Sequence, residues 1–65
     1  MGDERRRLGT PEEVAEYVGL SVTTLYDQRR RGVDVGGLAV RVGRHLRWYW
    51  EDIDGLLAEQ RVGSR

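Results

Sequence analysis

With 65 residues and no cysteine, the chain has room for one small domain and none for a disulfide framework or a thiolate metal site. No apolar run approaches the ~20 residues that span a membrane, and the start MGDERRR lacks the apolar core of a signal peptide, so a cytoplasmic location is expected. Formal net charge is zero but unevenly spread: residues 1–20 sum to −2, residues 21–50 to +4 before His45 is counted, and residues 51–65 to −2.

Residues 1–9 show no apolar period and carry Arg5, Arg6 and Arg7. They read as a flexible N-terminal arm, with a reach into a DNA minor groove as one use for it. The organised part runs from 10 to 61, and 62–65 reads as a tail.

Thr10, Pro11 and Glu13 form a helix start: an N-cap, a proline at the first position, and an acid three residues after the cap. Val14, Ala15 and Val18 repeat at helical spacing, and Gly19 supplies the left-handed stop. Leu20 is expected to plug the corner that follows. Ser21 then caps a second helix from Val22 to about Arg31, with Leu25 and Val22 inward. The small Ala15 and Gly19 let the two helices cross steeply, which is the helix-turn-helix layout. A plain packing hairpin is the alternative.

With Leu25 inward, Ser21, Thr23, Tyr26, Asp27 and Arg30 point outward. A helix entering a major groove end-on would present Thr23 and Thr24 to bases, while Tyr26 and Arg30 reach phosphates or base edges. Ser21, Val22, Thr23, Thr24, Tyr26, Asp27, Arg30 and Arg31 are therefore the candidate reading residues. A solvated polar face is the bland alternative, with Thr24 bonding back within its own helix. Asp27 is out of place against DNA, and pairing along the helix with Arg30 or Arg31 is the preferred reading.

Gly32 ends the helix and residues 33–37 read as a loop. LAVRVGRHLRWYW (38–50) reads as a β-hairpin. A three-residue turn at Gly43, Arg44 and His45 would set Val42 against Leu46, Val40 against Trp48 and Leu38 against Trp50 on one side. Arg41 would then face Arg47 on the other. A two-residue turn at Gly43-Arg44 mixes polar and apolar residues on both faces, so the first register is expected. Its opposed arginines are unfavourable unless an anion sits between them, which suggests a phosphate clamp with Arg44 at the tip. Arg41, Arg44, His45 and Arg47 are the candidate wing contacts. Trp48 and Trp50 are expected in the core before they are expected on bases. EDIDGLLAEQR (51–61) reads as a third helix with Glu51 and Asp52 in its first turn and Ile53, Leu56 and Leu57 as its apolar stripe.

The order helix, helix, hairpin, helix makes this a small α+β chain. The segments TPEEVAEYVGLSVTTLY (10–26), RRRG (29–32) and VRVGRHLRWYWEDIDGLL (40–57) resemble the excisionase-type branch of the MerR-like winged helix-turn-helix proteins. That resemblance implies a second helix in the major groove and a wing on the backbone or minor groove. It also implies an accessory factor for a phage or mobile-element integrase in a bacterial host cell, binding repeated sites, bending DNA and directing excision. Two positions depart from the pattern. Gln28 stands where an apolar or tryptophan residue is usual, which bears on how the second helix docks. Val22 stands where a basic residue is frequent, which implies a different base preference.

A small transcription regulator would use the same module, and a protein-interaction module built on the Trp/Leu surface is a third reading. One histidine, no cysteine and no evident acid/base pair argue against an enzyme, and no cofactor or metal is expected. The expected partners are double-stranded DNA, an integrase, and further copies of the chain arranged head to tail.

Overall fold

The computed structural model describes residues 7–63. Helix α1 spans Pro11–Val18 and α2 spans Val22–Arg31. A 3-10 turn at Gly36–Leu38 leads to strands β1 (Val40–Val42) and β2 (His45–Arg47), and α3 spans Trp50–Gly63. The α+β winged arrangement read from the sequence is the one observed.

Both helix-turn-helix elements start as their local chemistry dictates. The Thr10 N–H donates to Glu13 Oε1 at 3.1 Å, and the Glu13 N–H donates to Thr10 Oγ1 at 3.2 Å, which closes the capping box. Gly19, at φ 77°, ends α1 by donating its N–H to the Ala15 carbonyl. Leu20 does not plug the corner: it is exposed, and only its backbone N–H serves the junction, donating to Ala15 O at 3.0 Å. Val18 and Val22 pack against the core from the two sides of the turn instead.

The core consists of Val14, Ala15, Leu25, Val35, Trp48 and Ile53. Val35 belongs to the segment that reads as a plain loop. It is drawn in because Gly36 lies flat on α2. A Cβ there would overlap the Leu25 carbonyl and stand 2.5 Å from Gln28 Cβ. Gln28 fixes the approach, its Oε1 accepting the Gly36 N–H at 2.9 Å. The polar residue in a usually apolar place thus ties the loop to α2 by a hydrogen bond.

The hairpin register differs from the expected one. Val40 pairs with Arg47, Arg41 with Leu46 and Val42 with His45, around a two-residue turn at Gly43-Arg44. Gly43, at φ 64°, occupies the first turn position, as in the primed turns whose twist suits short hairpins. Each strand has three residues, too few to bury a whole face: Leu46 packs against the core from β2, while the rest of the hairpin projects as a wing. Val42 is accordingly exposed. Trp48 is not opposite Val40, nor Leu38 opposite Trp50. Trp48 leaves the hairpin to bridge Gly9, with Gly9 N–H to Trp48 O at 2.8 Å and Trp48 N–H to Gly9 O at 3.1 Å. The folded unit therefore takes in Gly9, which the sequence reading assigned to the arm, while residues 1–6, with Arg5 and Arg6, lie outside the described residues.

Helix α3 begins one residue earlier than expected, at Trp50, and its backbone runs to Gly63 rather than ending at Arg61. Ile53 is fully buried, with Leu56 and Leu57 packed at the edge of the core. Tyr17 joins α3 to α1. Its ring stands edge-on to Trp50, with centroids 5.3 Å apart, and its hydroxyl donates to Asp54 Oδ1 at 2.7 Å.

Trp48 also donates its indole N–H to the Val35 carbonyl at 2.8 Å. Trp48→Phe keeps most of the buried ring but leaves that carbonyl unpaired, which costs about 1–3 kcal/mol. Thermal unfolding should show a midpoint lower by several degrees, at about 4–8 °C per kcal/mol for a chain of this size. An unchanged midpoint would mean that the bond contributes nothing net.

Candidate nucleic-acid interface

The outward face of α2 forms one shallow hollow lined by Thr23, Thr24, Tyr26, Asp27 and Arg30. The hydrogen bonding within it sorts these residues. Ser21 is occupied as the N-cap, its Oγ accepting the Thr24 N–H at 3.1 Å and lying 2.9 Å from Thr24 Oγ1. Val22 is half-buried against the core, so its side chain faces in. Thr23, Tyr26 and Arg30 are exposed on this face, Arg30 with its guanidinium held by Asp27. Arg31 lies outside the hollow.

Asp27 pairs along its own helix, as the spacing suggests. Arg30 donates to Oδ1 at 2.7 Å and Arg31 to Oδ2 at 3.2 Å. The Arg30 hydrogen bond, with the charges of Arg31 and Arg30 beside it, holds the carboxyl below its ordinary value of 3.8. A lowered folded-state value means that the contribution to stability is complete above the unfolded value and is lost only as pH falls through the lower folded one. Across the neutral range the two guanidinium groups therefore keep their internal counter-ion.

The wing contributes a second hollow. Arg44, His45 and Arg47 line it with Leu46 on one side, and Thr10, Pro11, Glu12 and Tyr26 line the other. Arg47 is half-buried, with one guanidinium nitrogen donating to the Leu46 carbonyl at 2.7 Å. Arg41 is not part of it. In the observed register Arg41 and Arg47 lie on opposite faces of the hairpin, so the opposed-arginine clamp does not exist. The wing's cations converge instead on the start of α1. Sequence reasoning missed that Thr10, Pro11 and Glu12 border this hollow. The capping box marks a helix start, but nothing local says what the start lies against.

Tyr26 lines both hollows, so the outward face of α2 and the inner side of the wing form one continuous surface. A family model described as a helix-turn-helix domain matches residues 10–61. The chain belongs to the helix-turn-helix domain family. Membership indicates DNA binding. No curated protein and no solved structure matches the chain. Among the described residues of this helix-turn-helix domain, no helix is long and apolar enough to cross a membrane, and no group of three His, Asp or Glu could hold a metal ion.

Asp27→Asn removes the counter-ion from Arg30 and Arg31. Duplex affinity should rise a few-fold on unrelated sequences alike, and the salt dependence should steepen by up to about 0.9 log units per arginine that gains a phosphate. Fluorescence anisotropy at three or four salt concentrations measures both. A fall in affinity confined to one sequence would make Asp27 a base-reading residue instead.

Proposed function

We propose that this helix-turn-helix domain is a sequence-specific architectural factor of the excisionase type. In this reading it binds repeated sites on duplex DNA, bends them, and turns a phage or mobile-element integrase toward excision. The observation that carries the DNA-reading part is the shared position of Tyr26. Thr23, Tyr26 and Arg30 on α2 are continuous with Arg44, His45 and Arg47 on the wing, so one duplex can meet both. Helix α2 enters the major groove by its N-terminal half, and the wing rests on the neighbouring backbone. The excisionase assignment is supported by the VGRHLR hairpin running into the EDID helix start, together with the family match.

The two elements take different parts of the task. Arg44 is at the wing tip, where contacts meet phosphate and carry no sequence information. Arg44→Ala should weaken binding to all sequences alike and flatten the salt slope by about 0.9. Thr23→Ala should change the ranking among sequences. A binding-site selection on random duplexes separates the two effects, and an altered preference for the Arg44 variant alone would reverse the roles.

Repeated sites follow from size and charge. A single module of this kind covers about 600–1,000 Å² of interface, which gives limited discrimination against genomic DNA. The −2, +4, −2 charge layout favours head-to-tail neighbours over a two-fold dimer. Direct repeats about one helical turn apart should therefore be bound with a steep, cooperative curve, and each wing should bend the DNA beneath it. Footprinting of the DNA beside the protein's own gene would locate the repeats, and gel shifts on one, two and three of them would measure the cooperativity. Equal affinity per site, or a preference for an inverted repeat, would rule this arrangement out.

A further inference from the structure

Most polar groups of the hollow on the outward face of α2 already have partners within the chain. Thr24 Oγ1 lies 2.9 Å from Ser21 Oγ, so that hydroxyl is engaged in the cap. Asp27 gives one carboxylate oxygen to Arg30 and the other to Arg31. To present its fork to a guanine edge, Arg30 would have to leave that carboxylate or bring it along, and the acid would then face the guanine O6 and N7 acceptors. Gln28 is the only amide side chain in α2, and its Oε1 accepts the Gly36 N–H outside the hollow. The side chains that read guanine and adenine bidentately, arginine and amide, are thus both engaged inside the protein.

What the hollow has left to offer an occupant is largely apolar: the methyl groups of Thr23 and Thr24 and the ring of Tyr26. In a major groove the group that suits such a wall is the C5-methyl of a pyrimidine, which stands out from the base edge and gains by leaving water. Thr24 is held by Ser21, and a tyrosine has few rotatable bonds, so little side-chain freedom is lost when the hollow fills. We infer that the α2 hollow is a specificity pocket for a pyrimidine C5-methyl group, with Thr23 and Tyr26 as its wall and thymine as the source of the methyl in unmodified DNA. The inference rests on the reading of α2 as the helix that enters the major groove, and it names what that helix reads.

Base analogues in a duplex chosen by binding-site selection test it. Each thymine of the selected site is replaced in turn by uracil, which removes the C5-methyl and leaves the base pairing and the O4 acceptor unchanged. Each cytosine is replaced in turn by 5-methylcytosine, which adds the same group. The readout is the ratio of affinities with and without the methyl, which cancels any change in overall affinity or in folded fraction. At one position the ratio should be about four, the effect of burying one methyl-sized group, and elsewhere close to one. Loss with uracil identifies thymine as the source, and improvement with 5-methylcytosine identifies the methylated cytosine. Thr23→Ser drops the side-chain methyl and keeps the hydroxyl, and it should bring the ratio close to one. Thr23→Val keeps a methyl and drops the hydroxyl, and it should retain the ratio. No effect of any methyl would overturn the inference while leaving sequence-specific binding intact. A ratio that survives Thr23→Ser would overturn the place of Thr23 in the wall, and a ratio lost in both variants would assign the effect to its hydroxyl and overturn the methyl contact. A selection that returns no preferred sequence would overturn the sequence-specific reading itself.

Discussion

Trp48 is the residue on which the fold closes. Its side chain is fully buried, its indole N–H holds the Val35 carbonyl, and its backbone bridges Gly9 in both directions. Three stretches with no regular pairing of their own meet there: the lead into α1, the loop after α2, and the exit from the wing. A chain this short buries only about 60% of its unfolded surface, so a few residues must each organise several segments. Burying an indole without a partner for its N–H would be costly, and the Val35 carbonyl removes that cost. Trp48 thus sets where the wing leaves the body and, through that, where its arginines stand relative to α2.

The helix-turn-helix unit is held by different means. Its caps are local, and its corner relies on glycine where a left-handed residue is required. The far end of α2 depends on Gln28 and Gly36, where a side-chain amide accepts a backbone N–H and the missing Cβ allows contact. An apolar residue at 28 would have added buried area but left the Gly36 N–H without this acceptor. Electrostatics are arranged with similar economy. Asp27 holds the guanidinium groups of Arg30 and Arg31 along α2 with a single carboxylate.

Much of the fold was legible because it follows from short-range rules. The capping box, the two glycine stops and the apolar stripes of α1 and α3 are written within a few residues of where they act. So was the pairing of Asp27 with its helix neighbours. The hairpin register was not, because the argument from alternating faces assumes a strand long enough to bury one side. Strands of three residues are ruled by the turn instead, and Gly43 decides it. Val35 and Gly36 were hidden for another reason: their place depends on a partner in α2 and on Trp48, neither near in sequence. Of the candidate site, the α2 face was readable from helical spacing, except that Ser21 and Val22 are occupied with capping and packing. The convergence of the wing on the start of α1 exists only in three dimensions, and the opposed arginines vanished with the register that produced them.

Tyr26 borders the helix hollow and the wing hollow at once. Its position makes α2 and the wing a single structural unit rather than two exchangeable parts. A graft that moved the outward residues of α2 onto another scaffold would bring half of a wall whose other half was shaped elsewhere. A substitution at Thr23 or Arg30 alters one hollow, whereas one at Tyr26 alters the walls of both.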